Sequence, residues 1–300
     1  MKIAYLVFAY KNPVLLEQTI ARLATEGTTF FIHIDRKVDV NQFSNIKGPN
    51  IVFLTDRVTV FWAEFSGVEA ILRLINRAAE APEKYDYCVL LSGSEYPLRS
   101  GRYIEEFFDR NKGGEFIDMV SMPNAAAGRT LVHLNTLWIP SHRPLLRFLV
   151  KVANRCGLIR RQFARAFPDL TPFGGHTWWA LSMDACRLIL ETVRTQAGLV
   201  EFFRYSPQPE ETFFHTILGN SNFLSRVRRS VLFEDWSAGG VRPEMISSAH
   251  LDYFDSEGPV LLNDVFGRGE ALVARKFGDE TLDLLPRLNA IIDKKDGLAL

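Results

Sequence analysis

The residues best suited to chemistry lie in Pro209-Glu210-Glu211-Thr212-Phe213-Phe214-His215-Thr216 and in Ala274-Arg275-Lys276-Phe277. The first segment sets a carboxylate at the start of an apolar helix, and the second sets two cations side by side. A base and a paired positive site suit transfer from a nucleotide-activated donor when no metal holds the diphosphate. Glu211 adjoins apolar and aromatic residues, where desolvation raises a carboxylate toward the range of a general base. The plainer reading is a surface carboxylate that complements a helix dipole. Glu210 either adds like-charge repulsion or faces solvent. Arg275 offers a planar fork for phosphate oxygens and Lys276 a point charge. Leu272, Val273 and Phe277 must pack, and so carry the pair inward; otherwise it is an ordinary basic surface pair.

A metal is the usual alternative for neutralising a diphosphate. The chain contains no Asp-x-Asp, the pairs Asp252/Asp255 and Asp293/Asp296 have other spacing, and His33, His176 and His215 are scattered. Chemistry without a divalent metal or other cofactor is expected. Trp62, Trp178, Trp179 and Trp236 are either core residues or platforms on which a sugar face stacks. The segment Gly174-Gly175-His176-Thr177-Trp178-Trp179 has the mixed character of an acceptor loop, and Asp235-Trp236 is a second candidate.

These groups need a frame. Lys2 to Ala9 reads as a strand, Asn12-Pro13 as N-cap and first turn of a helix to about Leu23, and Thr29 to Ile34 and Ile51 to Leu54 as strands. Ala63 to Ala81 reads as a long amphipathic helix, and Tyr87 to Ser92 as a buried strand before the turn Gly93–Pro97. A helix from about Arg102 to Arg110 and a strand near Phe116 to Met119 follow. Such alternation predicts an α/β fold with a mostly parallel central sheet flanked by helices, whose ligands gather beyond the carboxyl ends of the strands. His33-Ile34-Asp35 and Ser92-Gly93 lie at such ends. Ser182 caps a helix to about Thr195, Pro209 opens one to Leu218, and Asp279 to Ile292 forms a last one. With no repeat or linker, residues 1–300 read as one domain: 1–120 as a nucleotide-sugar half and 121–300 as an acceptor and catalytic half.

Three hundred residues, 47% hydrophobic, can bury a large core. The 35 basic and 35 acidic residues balance, so nothing argues for nucleic acid. No apolar run reaches the roughly 18 to 20 residues that span a bilayer. The sequence opens on a strand-like segment, so no signal peptide is expected. Cys88, Cys156 and Cys186 are odd in number, and buried free thiols are expected of Cys88 and Cys186 in a cytoplasmic protein. Charge is uneven in one place. No acidic residue lies between Asp118 and Asp169, whereas Arg129, Arg143, Arg147, Lys151, Arg155, Arg160, Arg161 and Arg165 do. Within that stretch 144–153 has amphipathic helical spacing. It is either a solvated helix with its apolar face on the domain, or a surface for anionic lipid or an anionic acceptor at the inner membrane face.

Taken in order, these segments resemble glycosyltransferase family 14, the core-2/I-branching β-1,6-N-acetylglucosaminyltransferases and peptide O-xylosyltransferases. The resemblance runs from Ala4 to about Phe277. It rests on Ala4-Tyr5-Leu6-Val7, Ile32-His33-Ile34-Asp35-Arg36-Lys37, Trp62-Ala63-Glu64-Phe65-Ser66, Leu90 through Leu98, Gly174 through Ser182, Pro209 through Thr216, Asp235-Trp236-Ser237 and the Ala-Arg-Lys-Phe motif. It implies a GT-A-like fold, a UDP-sugar donor (GlcNAc or xylose first), inversion at the anomeric carbon and no metal. Glu211 would be the base, with Arg275 and Lys276 on the diphosphate. Asp35 would meet uracil, with Val7, Val60, Ser92 and Gly93 lining the nucleotide-sugar site. Glu95, Tyr96, His176, Trp178, Trp179 and Trp236 would face a glycan or glycolipid acceptor. Many members carry Asp where Glu95 stands, and a further arginine upstream of the basic motif has no evident equivalent. The rival expectations are a catalytically silent binder of the same fold and a membrane-surface scaffold.

Overall fold

The computed structural model describes residues 1–159, 161–240 and 242–297. Its strands are β1 (Ile3–Ala9), β2 (Thr28–Ile34), β3 (Ile51–Phe53), β4 (Tyr87–Ser92), β5 (Glu95–Pro97), β6 (Glu115–Ile117), β7 (Val120–Ser121), β8 (Phe173–Gly174), β9 (Trp179–Ser182), β10 (Val227–Arg228), β11 (Leu232–Glu234), β12 (Leu261–Asp264), β13 (Gly267–Glu270) and β14 (Val273–Arg275). Seven of them form one sheet in the order β10-β6-β9-β4-β1-β2-β3. The β1–β2, β1–β4, β2–β3 and β6–β10 pairs are parallel, and β9 runs antiparallel to both β4 and β6. The expected mostly parallel α/β sheet is therefore present. Because β9 and β10 lie within it, residues 1–120 and 121–300 share one sheet.

The continuous apolar runs of β1, β2 and β4 are those of strands covered on both faces. Alternate residues serve different cores, Ala4 and Leu6 on one face and Ile3, Tyr5 and Val7 on the other. The helix Ser66–Ala79 buries Val68, Ile71, Leu74, Ile75 and Ala78 against the first face, beside the helix Met183–Thr195. The helices Pro13–Leu23 and Gly101–Arg110 cover the second. A third core packs the helix Leu285–Gly297 against Tyr96, Leu98 and Phe277. Cys88 and Cys186 are buried free thiols, as expected, and Cys156 is exposed.

Several boundaries shift for identifiable reasons. Ser182 does cap its helix, its Oγ accepting from Ala185 N. Asn12 does not cap: it sits at φ 57°, and its Nδ2 donates to Gly93 O (2.9 Å) and Ser94 Oγ (3.1 Å). It staples the β1 loop to the β4 turn instead. Asp279–Leu284 is a 3₁₀ segment, and the α-helix starts at Leu285 with Pro286 in its first turn. Pro209–Glu211 is likewise 3₁₀, and the α-helix that follows is Phe213–Gly219.

A second, three-stranded sheet, β11-β14-β5, sits beyond the end of β4. Its register places Arg275 opposite Glu95 on one side and Glu234 on the other. The expected turn Gly93–Pro97 thus contains a strand, and that strand aligns a charge row.

Candidate active site

The carboxyl ends of β1, β2 and β4 meet at one edge. Asp35 N donates to Ala9 O (2.9 Å). A Cβ on Gly93 would lie 2.8 Å from Lys11 O, so only glycine lets the β4 turn approach the β1 loop this closely. Asp35 is buried, and its Oδ1 accepts from Lys37 N (3.0 Å) and Val60 N (3.4 Å). Lys37 Nζ stands 3.4 Å from Oδ2 and also donates to Val60 O. Asp35 therefore closes the loop around Val60, with Oδ2 its less engaged oxygen. Val7, expected at the nucleotide, is 1% exposed inside the second core. Its side chain reaches no ligand and shapes the site only through β1.

Arg275 and Lys276, expected to act together, have different surroundings. The Arg275 guanidinium donates to Ser92 Oγ (2.7 Å) and to Glu95, lies 3.3 Å from Glu234 Oε1, and stacks 4.8 Å from the Trp178 ring. Ser92 Oγ in turn donates to Glu95 (2.7 Å). Glu95 is 1% exposed, so it anchors Arg275 and does not face an acceptor. Lys276 makes no salt bridge among the described residues, and Glu280 is the acid whose charge acts on it. Burial lowers its pKa, and the neighbouring charges of Arg275, Lys11 and Arg242 lower it further. Lys11 and Arg242 were not singled out from the sequence. Nothing local marks them, since each approaches Lys276 only through the fold.

Glu211 pairs with Arg129 through Oε2. Among the described residues Oε1 has no hydrogen-bond partner. Gly175 N donates to Glu211 O (3.0 Å), and a Cβ on Gly175 would sit 1.6 Å from Asp118 O, so this crossing requires glycine. His215 Nε2 meets His176 O at 3.0 Å, and His176 Nδ1 meets Asp118 Oδ2 at 3.0 Å and Glu234 Oε2 at 3.9 Å. A continuous chain of contacts thus joins Glu211, through Gly175, His176 and Glu234, to Arg275 beside Lys276. Burial pulls the His176 pKa down, but the Asp118 bond and the charges of Glu234 and Asp118 outweigh it, and the net shift is upward. His176 stacks on Trp236, with centroids 6.1 Å apart and planes 21° apart, and Trp236 is 40% exposed. Tyr96 and Trp179, both expected at the acceptor, are core residues. Tyr96 OH donates to Asn289 Oδ1 (2.9 Å), and Trp179 packs on Phe214. Trp178 is half-buried beneath Arg275.

A family model described as Core-2/I-Branching enzyme matches residues 3–255. The chain belongs to that family. Human Xylosyltransferase 2 is 24% identical over 230 residues, 74% of this chain and 25% of that protein. Xylosyltransferase oxt of Drosophila pseudoobscura pseudoobscura is 22% identical, over 64% of this chain and 21% of that protein. The chain thus spans about a quarter of the length of these curated relatives. Among solved structures, apo mouse Xyloside xylosyltransferase 1 aligns at TM-score 0.38 and 11% identity, covering 91% of this chain and 97% of that one.

In this Core-2/I-branching family chain the expected desolvation falls on Glu210. Its Oε2 is sealed from solvent with no partner. Burial raises its carboxyl to about 7, and the charge of Glu211 adds to the rise. The folded state therefore holds a proton on Glu210 that the unfolded chain gives up above about 4.5. The sign follows: stability falls as pH climbs from that value through about 7. The loss amounts to about 3 kcal/mol. A Glu210→Gln protein should lack it, so its urea midpoint should change less between pH 5 and pH 8. Superimposable pH profiles for the two proteins would mean that Glu210 is hydrated.

A cleft lies at the opposite ends of the strands, around Lys2, Thr25–Thr29, Asn50 and Tyr85. It is remote from all of these groups.

Proposed function

We propose that this chain transfers a sugar from a UDP-sugar to an acceptor hydroxyl, with inversion and without a divalent metal. What carries the reading is Glu211, with one unengaged carboxylate oxygen, joined through Gly175, His176 and Glu234 to Arg275 and so to Lys276, which also feels the charges of Lys11 and Arg242. Glu211 Oε1 takes the proton of the acceptor hydroxyl as its oxygen bonds to the anomeric carbon. The bond from that carbon to the β-phosphate oxygen breaks, and UDP leaves with the electron pair. Lys276, Lys11 and Arg242 neutralise the charge that develops on the diphosphate. Arg275 holds no phosphate; it joins β5, β11 and β14 and so sets the position of Lys276. Asp35 Oδ2 and the loop at Val60 meet the uracil ring, and Ser92 and Gly93 border the diphosphate. The His176–Trp236 stack presents an aromatic face for a glycan or glycolipid acceptor. Among the described residues no group of three or more His, Cys, Asp or Glu side chains is placed to hold a metal ion.

The family and the names of the relatives support xylose or N-acetylglucosamine as the donor sugar. A UDP-release assay over UDP-GlcNAc, UDP-xylose, UDP-galactose and UDP-glucose, with a glycan acceptor panel, tests the reading. Release should be dependent on one donor and indifferent to EDTA. UDP binding with no release from any donor would leave a binding protein, and activity lost with EDTA and restored by Mn²⁺ would refute metal independence.

A further inference from the structure

The helix Pro144–Arg155 is packed inside out. Leu145, Phe148, Leu149 and Val152, spaced i, i+3, i+4 and i+7, form its apolar stripe, and all four are exposed: Leu145 by 73% and Phe148 by 63%. No residue of the helix is buried. The side that meets the protein is mixed, its half-buried residues being Arg147, Val150, Ala153 and Asn154. Arg147 stacks 4.6 Å from the Trp138 ring and reaches Glu64 at 3.9 Å, while Asn154 Nδ2 donates to Leu137 O (2.8 Å). Of the two readings of this stretch, the one that packs the apolar face on the domain does not hold. Water is a poor partner for such a stripe, and contiguous exposed apolar surface marks an interaction site.

The charges around the stripe identify the partner. Arg143, Lys151, Arg155 and Arg165 are exposed, and the stretch from Asp118 to Asp169 has no acid of its own. The other cations of that stretch are occupied. Arg129 holds Glu211, Arg147 holds Trp138, and Arg161 donates to the carbonyls of Thr136 (2.8 Å) and Tyr205 (2.6 Å) while stacking on Phe202; Arg160 lies outside the described residues. A second copy of the chain is a poor occupant. A twofold contact sets the same patch against itself, cation against cation, and one helix face is far short of the roughly 20 residues a side of a stable interface.

We propose that the 144–155 helix lies in the plane of an anionic lipid bilayer, its Leu145/Phe148/Leu149/Val152 stripe among the acyl chains and Arg143, Lys151 and Arg155 at the headgroups. The helix is tied to the site. Ser141 N donates to Glu64 Oε1 (2.6 Å), and next to Glu64 the carbonyl of Ala63 accepts from Gln208 N (3.2 Å), in the turn that carries Glu211. Docking would bring the Glu211 region beside the bilayer.

Vesicle co-sedimentation tests this without reference to catalysis. The whole chain should bind phosphatidylcholine vesicles containing phosphatidylglycerol, bind pure phosphatidylcholine far less, and be released by salt. A Phe148→Glu/Leu149→Glu protein and a Lys151→Glu/Arg155→Glu protein should each lose at least about tenfold in partitioning. The substituted side chains are exposed, so unchanged circular dichroism melting should accompany both. Absence of binding to anionic vesicles, or binding that either double variant leaves intact, overturns the proposal. So does a dimer in sedimentation velocity that the same variants dissociate, which would make the stripe an interface between copies.

Discussion

Glu211→Gln should bind UDP as the wild type does and lose about 10² to 10⁴ in kcat. The substitution keeps the length and shape of the side chain and one oxygen toward Arg129, so the Pro209–Glu211 turn should keep its place. What it removes is the capacity of the terminal atoms to take a proton. The backbone of Glu211, which accepts from Gly175 N at 3.0 Å, is untouched, and that bond links the turn to His176. Isothermal titration with UDP and single-turnover sugar transfer separate the two effects. A fall in kcat with constant UDP affinity locates the loss in the chemical step. Glu210→Gln is the control, because Glu210 is the neighbouring carboxylate and its Oε2 is sealed from solvent; its turnover near neutral pH should be close to normal. Undiminished turnover in Glu211→Gln would remove the base from this residue.

Much of the frame behind that expectation is legible along the chain. The apolar runs of β1, β2 and β4 can only be covered strands, and Ser182 caps its helix because the bond it makes spans three residues. Legibility ends where a residue's role depends on a partner distant in sequence. Asn12 has the type and position of an N-cap, yet Gly93 and Ser94, 81 and 82 residues away, claim its side chain. Arg129 reads as one cation in a basic run, and its partner Glu211 lies 82 residues on. Aromatic character did not separate Trp236, which is exposed on His176, from Trp179 and Tyr96, which are core, because both environments favour the same rings. Adjacent carboxylates differ for a similar reason. Glu210 and Glu211 share a local sequence, but the 3₁₀ turn directs one tip into the protein and the other toward Arg129. The helix 144–155 is amphipathic on either reading, and only the fold shows which face turns outward.

Lys276→Ala and Arg275→Ala should part ways, though the two residues are neighbours. Lys276 stands in the field of Arg275, Lys11 and Arg242, each of which outweighs the opposing charge of Glu280, so an incoming anion relieves a net repulsion. Its removal should weaken UDP binding about 10- to 100-fold, the range of one charge-assisted hydrogen bond. The melting temperature should hold or rise slightly, since a like-charge repulsion disappears with it. The depressed pKa of Lys276 adds a signature. A bound diphosphate draws that pKa back up, so binding takes up a proton where free Lys276 is partly neutral, and wild-type affinity falls as pH rises through that region. Lys276→Ala should flatten this slope. Arg275 behaves oppositely, because Glu95 and Glu234 already compensate it. Arg275→Ala strands both carboxylates in a buried row and should cost about 3 to 5 kcal/mol of stability. Its effect on UDP should follow from the displacement of β14 rather than from a lost phosphate contact. Titration of UDP into both variants across pH, alongside urea unfolding, resolves the division. Unchanged UDP affinity in Lys276→Ala would take the cation cluster out of the donor site and leave the diphosphate without its proposed counter-charge.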